Sequence, residues 1–259
     1  MPPRRAPLLV SALLVVLALV AGCSSGDDGE RPPGDPVSAA EADVLAGLLY
    51  RNFQEGGADF VVTAPYAEGA VLTLTGEVDF ARGAGRAQGV TEYADGRPDD
   101  TRTLFFTGAD IWFGDVPGLA DELEAAGLPG ADYVRRPIAS TNAEGTASLI
   151  DVLVQMVPRL SARAADDPRS FTENEYTWQG TRSVNGELAS MFRTGGGATV
   201  TVAADRGLLL QYVTRLPDQE FDVTITLADH GEREIELPAD RETVDAGDHP
   251  EIAEALGVR

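Results

Sequence analysis

The stretch VLTLTGEVDF constrains the fold more than any other: Leu72, Leu74, Val78 and Phe80 alternate with Thr73, Thr75, Glu77 and Asp79. Successive side chains of a strand point to opposite faces, so this segment reads as a strand with one apolar face and one wet face. The pattern returns in EFDVTITLADH, where Phe221, Val223, Ile225 and Leu227 alternate with Asp222, Thr224 and Thr226. Such strands belong to an antiparallel sheet open to water on one side. The apolar face then needs a cover from elsewhere in the chain.

Two helical segments supply that cover. Ser38 and Glu41 in SAAE form a capping box, which opens a helix expected over 38–54 and closed by Gly56 and Gly57. Val44, Leu45, Leu48, Leu49 and Phe53 make its apolar stripe. A second helix, expected over 144–163, carries Leu149, Ile150, Leu153, Met156, Val157 and Leu160 on one side, and Pro158 should interrupt it. Turn signals fall at Gly108, at Asn185-Gly186, at Asp205-Arg206-Gly207 and at His230-Gly231, each read as a hairpin. ADYVRRPI reads as extended and irregular, and a last short helix has Asp248 as its cap and Pro250 in its first turn. The fold class is therefore α+β, a curved and mostly antiparallel sheet with helices on one face. A gap between the layers suits an apolar ligand, and the candidate walls are Leu72, Leu74, Val78, Phe80, Leu149, Leu153, Val157, Val223 and Ile225. Some strand aromatics, among them Tyr176, Trp178, Phe192 and Tyr212, are further candidates.

The N-terminus has a different character. Arg4 and Arg5 precede an uncharged run from Leu8 to Val20, and the small residues Ala21 and Gly22 lead to Cys23, the one cysteine in 259 residues. The run is shorter than the roughly 20 residues of a membrane span and has the three parts of an export signal. VAGC resembles a bacterial lipobox, which implies cleavage after residue 22 and a diacylglycerol on Cys23. Residues 23–37, through SSGDDGERPPGDPV, are small, charged and proline-rich and read as a flexible tether. Residues 38–259 then form a single domain. The expected place is the outer face of the cytoplasmic membrane, reached through the lipid on Cys23.

Charge narrows the partners. The chain has 42 acidic residues against 20 arginines and no lysine, a formal charge of −22, and removal of residues 1–22 takes away two of the arginines. Such a surface repels nucleic acid and anionic headgroups. A lone thiol excludes an intramolecular disulfide and a zinc ribbon. His230 and His249 both read as surface residues, and no nucleophile elbow, P-loop or HExxH run is present. Acidic pairs such as Asp99-Asp100 and Asp166-Asp167 match no calcium loop. No catalytic residue, metal or cofactor is expected, and the molecule is expected to be a monomer.

GADFVVTAPY, GAVLTLTGEVDFARGAGRAQGVTEY and the closing VTITLADHGEREIELPAD resemble actinobacterial lipoproteins of the LppX/LprG type and, more remotely, LolA-type carriers, over roughly residues 38 to 240. The resemblance implies a half-barrel clasping helices on its concave face around a cavity for acyl chains, and a function in binding or carrying an acyl lipid or lipoglycan. Gly76 and Gly89 in strand positions, and the acidity, depart from that pattern and point to a smaller or closed cavity. The alternative is an acidic, surface-tethered interaction module with a closed core and no ligand.

Overall fold

Among the described residues, twelve strands form one sheet, in the order β12-β6-β5-β4-β3-β2-β1-β11-β10-β9-β8-β7. The computed structural model describes residues 31–258 apart from 68, 140–146 and 217–220. The expected signal peptide, Cys23 and most of the expected tether lie outside the described residues, as does the start of the helix expected over 144–163.

The strands of the first half are β1 (Gly57–Ala67), β2 (Ala70–Asp79), β3 (Ala84–Tyr93), β4 (Asp100–Phe106), β5 (Asp110–Gly114) and β6 (Tyr133–Pro137). The second half adds β7 (Thr177–Val184), β8 (Glu187–Arg193), β9 (Thr199–Ala203), β10 (Leu209–Arg215), β11 (Asp222–Ala228) and β12 (Thr243–Asp245). Every pairing is antiparallel except that of β12 with β6. The sheet is open and curled, an α+β half-barrel with its helices against the apolar face.

Register explains why that face is continuous. Val62 stands opposite Leu74 on one side and Ile225 on the other, and Ile225 stands opposite Tyr212. Phe60 likewise faces Gly76 and Leu227. A Cβ on Gly76 would strike the Arg86 carbonyl and the backbone of Ala87, and one on Gly85 would enter the Phe106 ring. These glycines let backbone and ring approach where the sheet curls. A Cβ on Gly89 would press on Leu74 and Leu104.

The helical cover differs from its sequence pattern. The segment expected as one helix over 38–54 is two, α1 (Ala39–Ala46) and α2 (Leu48–Glu55), broken at Gly47. The Ser38 capping box is present. The break follows from Arg51, whose Nε donates to the Gly207 carbonyl at 2.8 Å and whose Nη2 donates to the Val44 carbonyl. The guanidinium lies where a Cβ on residue 47 would sit. The bend turns Val44 outward, 38% exposed, while Ala42, Leu45 and Leu48 stay buried.

The short helix α3 (Leu119–Ala125) precedes β6, so ADYVRRPI is not irregular but holds a strand paired with β5. The later helix is α4 (Leu149–Met156), and Pro158 opens a 3-10 turn, Pro158–Leu160, as its missing N–H requires. Beyond it comes α5 (Arg169–Glu173) and, near the C-terminus, α6 (Pro250–Ala255). His249, not Asp248, stands at the N-cap position of α6, and its side chain makes no capping bond.

Two other expectations change for reasons of edge pairing. The His230-Gly231 turn does not return as a strand. β11 already has β10 on one edge and β1 on the other, so no edge is free for EREIELP. That segment runs alongside instead, with the Gly231 amide donating to the Gly57 carbonyl and Arg233 Nη2 bonded to Asp59 at 2.8 Å. At the far side of the sheet, β7 is an edge strand, and residues 34–37 dock on it. The Gly34 amide donates to the Trp178 carbonyl at 2.7 Å, the Trp178 amide to the Asp35 carbonyl at 2.8 Å, and the Val37 amide to the Tyr176 carbonyl at 3.1 Å. Val37 is buried in the main core. The end of the expected tether is thus a strap on the open edge.

Candidate functional site

Where α1, α2, α4 and α5 meet the strands β9 and β10, the layers leave a cavity of about 920 Å³. Each wall follows from a local feature. The bend at Gly47 points Leu45, Leu48 and Leu49 at one space, and the stop at Pro158 leaves Met156 and Leu160 facing it. Ala198, Val200, Leu209 and Tyr212 form the strand side. Phe171 from α5 and Tyr176 close the end, their rings edge to face with centroids 4.9 Å apart. Leu45, Leu48, Leu160, Ala198, Val200 and Leu209 are buried, while Leu49, Met156, Phe171, Tyr176 and Tyr212 are half-buried and reachable from the mouth. Burial pushes the Tyr176 hydroxyl above its usual range, with nearby Tyr212 and Asp166 adding to the effect.

The rim is polar. Arg159, Asp166, Glu173, Asn174, Glu175, Thr194, Gly195 and Gly196 surround the opening. Glu175 has φ +56°, a left-handed turn that carries the chain from α5 into the edge strand. A Cβ on Gly195 would lie 2.8 Å from the Asn174 carbonyl oxygen, so the β8–β9 turn closes on the α5 loop only with glycine there. Walls of this kind ask no hydrogen bond of an occupant, and the volume lies within the range of small-molecule sites.

The nine residues read from the sequence as candidate walls divide in two. Leu72 and Leu149 line a separate cleft of about 330 Å³, beside Leu104, Phe113, Arg136 and Val258. Leu74, Val78, Phe80, Leu153, Val157, Val223 and Ile225 are buried in the packed core and line neither opening. The walls of the large cavity come instead from the apolar stripes of the helices, from Ala198, Val200 and Leu209 on the strand side, and from Phe171, Tyr176 and Tyr212. Phe171 gave no useful signal, because a short helix of five residues has no period to read.

A third hollow, about 940 Å³, lies on the opposite face of the sheet. Its walls include Asp59, Glu77, Arg86, Gln88 and Thr226, and Arg86 pairs with Glu77. These are the wet sides of the alternating strands. Behind the 330 Å³ cleft, Arg136 and Asp151 form an ion pair at 2.8 Å with both side chains buried, which ties β6 to α4.

His230 is half-buried, not a surface residue, and both ring nitrogens are sealed from solvent. Burial lowers its pKa, and Arg206 lowers it further. Among the described residues no group of three or more His, Cys, Asp or Glu could hold a metal ion, and no helix is long and apolar enough to cross a membrane.

No family model and no curated protein matches the chain. Among solved structures it is similar to LprF from Mycobacterium bovis, at 14% identity and a TM-score of 0.43, over 80% of this chain and 99% of that one. It is similar to an uncharacterized conserved protein from Thermus thermophilus at 11% identity and a TM-score of 0.37, over 81% and 99% of the two chains. It is also similar to MucB in complex with MucA(peri), at 15% identity and a TM-score of 0.29, over 78% and 58%. Likeness of this degree is one of general fold and names no ligand.

Proposed function

We propose that this protein binds or carries an acyl lipid at the outer face of the cytoplasmic membrane, anchored there through a diacylglycerol on Cys23. The observation that carries the reading is the cavity of about 920 Å³ walled by Leu45, Leu48, Leu49, Met156, Leu160, Phe171, Tyr176, Val200, Leu209 and Tyr212. Hydrocarbon moved from water into such a space gains about 0.8 kcal/mol per methylene, which needs no catalytic group. The strap at Gly34 to Val37 adjoins Tyr176, so the chain that leads back to Cys23 departs beside a cavity wall. Fully extended, the chain from Cys23 to Gly34 spans at most about 40 Å. An acidic interaction module with a closed core is the other reading, and a space of this volume speaks against it.

The test is native mass spectrometry of the full-length chain, purified from its host, beside a Leu49→Trp/Met156→Trp variant. Both positions are half-buried on helices, so indoles there fill the space while the sheet is left alone. The expected result is lipid-sized added mass on the natural protein, beyond any on Cys23, and its loss in the variant. Bare polypeptide in both, or equal lipid in both, overturns the proposal.

A further inference from the structure

We infer that the cavity selects against anionic lipids and takes an acyl lipid whose head group is uncharged and donates hydrogen bonds, such as a diacylglycerol or another hydroxyl-bearing neutral lipid. The inference rests on the reading of the cavity as an acyl-lipid site, and it comes from the rim, not the walls.

Three carboxylates, Asp166, Glu173 and Glu175, stand at the opening, all exposed, and none forms an ion pair among the described residues. One arginine, Arg159, shares the rim, and its Nη2 donates to Gln155 Oε1 at 3.0 Å rather than to an acid. The other polar side chains are partly committed. Asn174 Nδ2 donates to the Ser170 carbonyl at 2.7 Å, and Thr194 Oγ1 accepts from the Ala198 amide at 3.1 Å. What the rim leaves for a head group is therefore mainly acceptor capacity, since an ionised carboxylate can only accept. A hydroxyl satisfies it by donating. A phosphodiester or a fatty-acid carboxylate brings more acceptors and a like charge. The amides of Gly195 and Gly196 and the remaining N–H groups of Arg159 offer donors, but the three carboxylates still leave two net negative charges at the opening.

The rest of the molecule works in the same direction, with a formal charge of −22. Two net negative charges about 7 Å from an anionic head, in water-like dielectric, disfavour it about five- to tenfold at low salt. Screening removes most of that at 1 M salt, where the Debye length is about 3 Å.

The experiment offers the full-length chain micelles holding equal amounts of dioleoylglycerol and dioleoylphosphatidylglycerol, which share acyl chains and differ in the charged phosphate. Protein is then separated and its bound lipid quantified. The expected outcome is an excess of dioleoylglycerol of about fivefold in roughly 10 mM salt, falling toward parity in about 1 M salt. In an Asp166→Asn/Glu173→Gln/Glu175→Gln variant the preference should fall to within about twofold at low salt. These exposed positions leave the core untouched, and a melting curve checks the fold. Equal or preferred uptake of phosphatidylglycerol by the natural chain overturns the inference, as does a preference unchanged in the triple variant. Retention of neither lipid by the natural chain overturns the cavity reading itself, a result distinct from uptake of the wrong head group.

Discussion

Asn52 is the residue on which the helical cover hangs. It is fully buried on α2, where an apolar residue would ordinarily sit. Its Nδ2 donates to the Leu160 carbonyl at 2.7 Å, and its Oδ1 accepts from the Leu209 amide at 3.3 Å. One side chain therefore joins α2 to the 3-10 turn after α4 and to β10, and Leu160 and Leu209 are both cavity walls. Replacement by leucine keeps the approximate volume and leaves a carbonyl and an amide buried without partners. Each such group costs about 1–3 kcal/mol, so Asn52→Leu should lower the unfolding free energy by about 3 kcal/mol, read from chemical denaturation. A loss below about 1 kcal/mol would mean that water reaches both groups and that the staple is not structural. Nothing in the sequence marked Asn52, because a polar residue inside an apolar stripe looks like noise until its partners, more than a hundred residues away, are known.

At the scale of elements, the strap is the feature with the clearest consequence. Gly34 to Val37 cover part of an edge that would otherwise offer unpaired amides and carbonyls to a neighbouring molecule. A chain that starts at Ser38 loses the acceptor for the Trp178 amide. Hydrogen exchange at Trp178 should then speed up by at least about tenfold, with little change at Val62 in the middle of the sheet. Removal of the buried Val37 should also lower stability by about 1–2 kcal/mol. Unchanged exchange at Trp178 would show that the strap is not held in solution. The strap was hidden because SSGDDGERPPGDPV has the composition of a tether to its last residue; what orders its end is a vacant edge elsewhere. The same logic explains the other differences. The alternation in VLTLTGEVDF and VTITLADH was legible because it depends on neighbours two residues away, and Ser38 with Glu41 marked its helix start for a similar reason. The break at Gly47 depends on Arg51 reaching Gly207, and the missing strand after His230 depends on β1 already occupying that edge. Local pattern carried the elements; long-range competition for space and hydrogen bonds decided their ends.

For the molecule as a whole, the sequence reads as an apolar gap between sheet and helices, and seven of the nine residues read as its walls are buried in the core and line neither opening. The reason is geometric. Alternation tells which side chains face inward, but not which of them are covered; the cavity of about 920 Å³ lies where the helical layer bends at Gly47 and stops at Pro158. Charge is the other whole-molecule property, and it was legible in full. Forty-two acidic residues against twenty arginines repel one another in the compact state. The pairs of Arg97 with Asp95 and of Arg215 with Asp222 have both partners more than half exposed, and such pairs contribute about 0–1 kcal/mol each. The buried pair of Arg136 and Asp151 is screened least. Salt should therefore relieve repulsion more than it weakens attraction. Between about 0.02 and 0.5 M sodium chloride the melting midpoint of the full-length chain is expected to rise by about 3 °C, the equivalent of roughly 1 kcal/mol in a domain of this size. Sodium chloride is the suitable salt, because sulfate would strengthen apolar burial as well and confound the two effects. A midpoint that falls over the same range would mean that the arginine pairs at the surface outweigh the excess of carboxylates, and the electrostatic penalty assigned to the cavity rim would then have to be reconsidered with it.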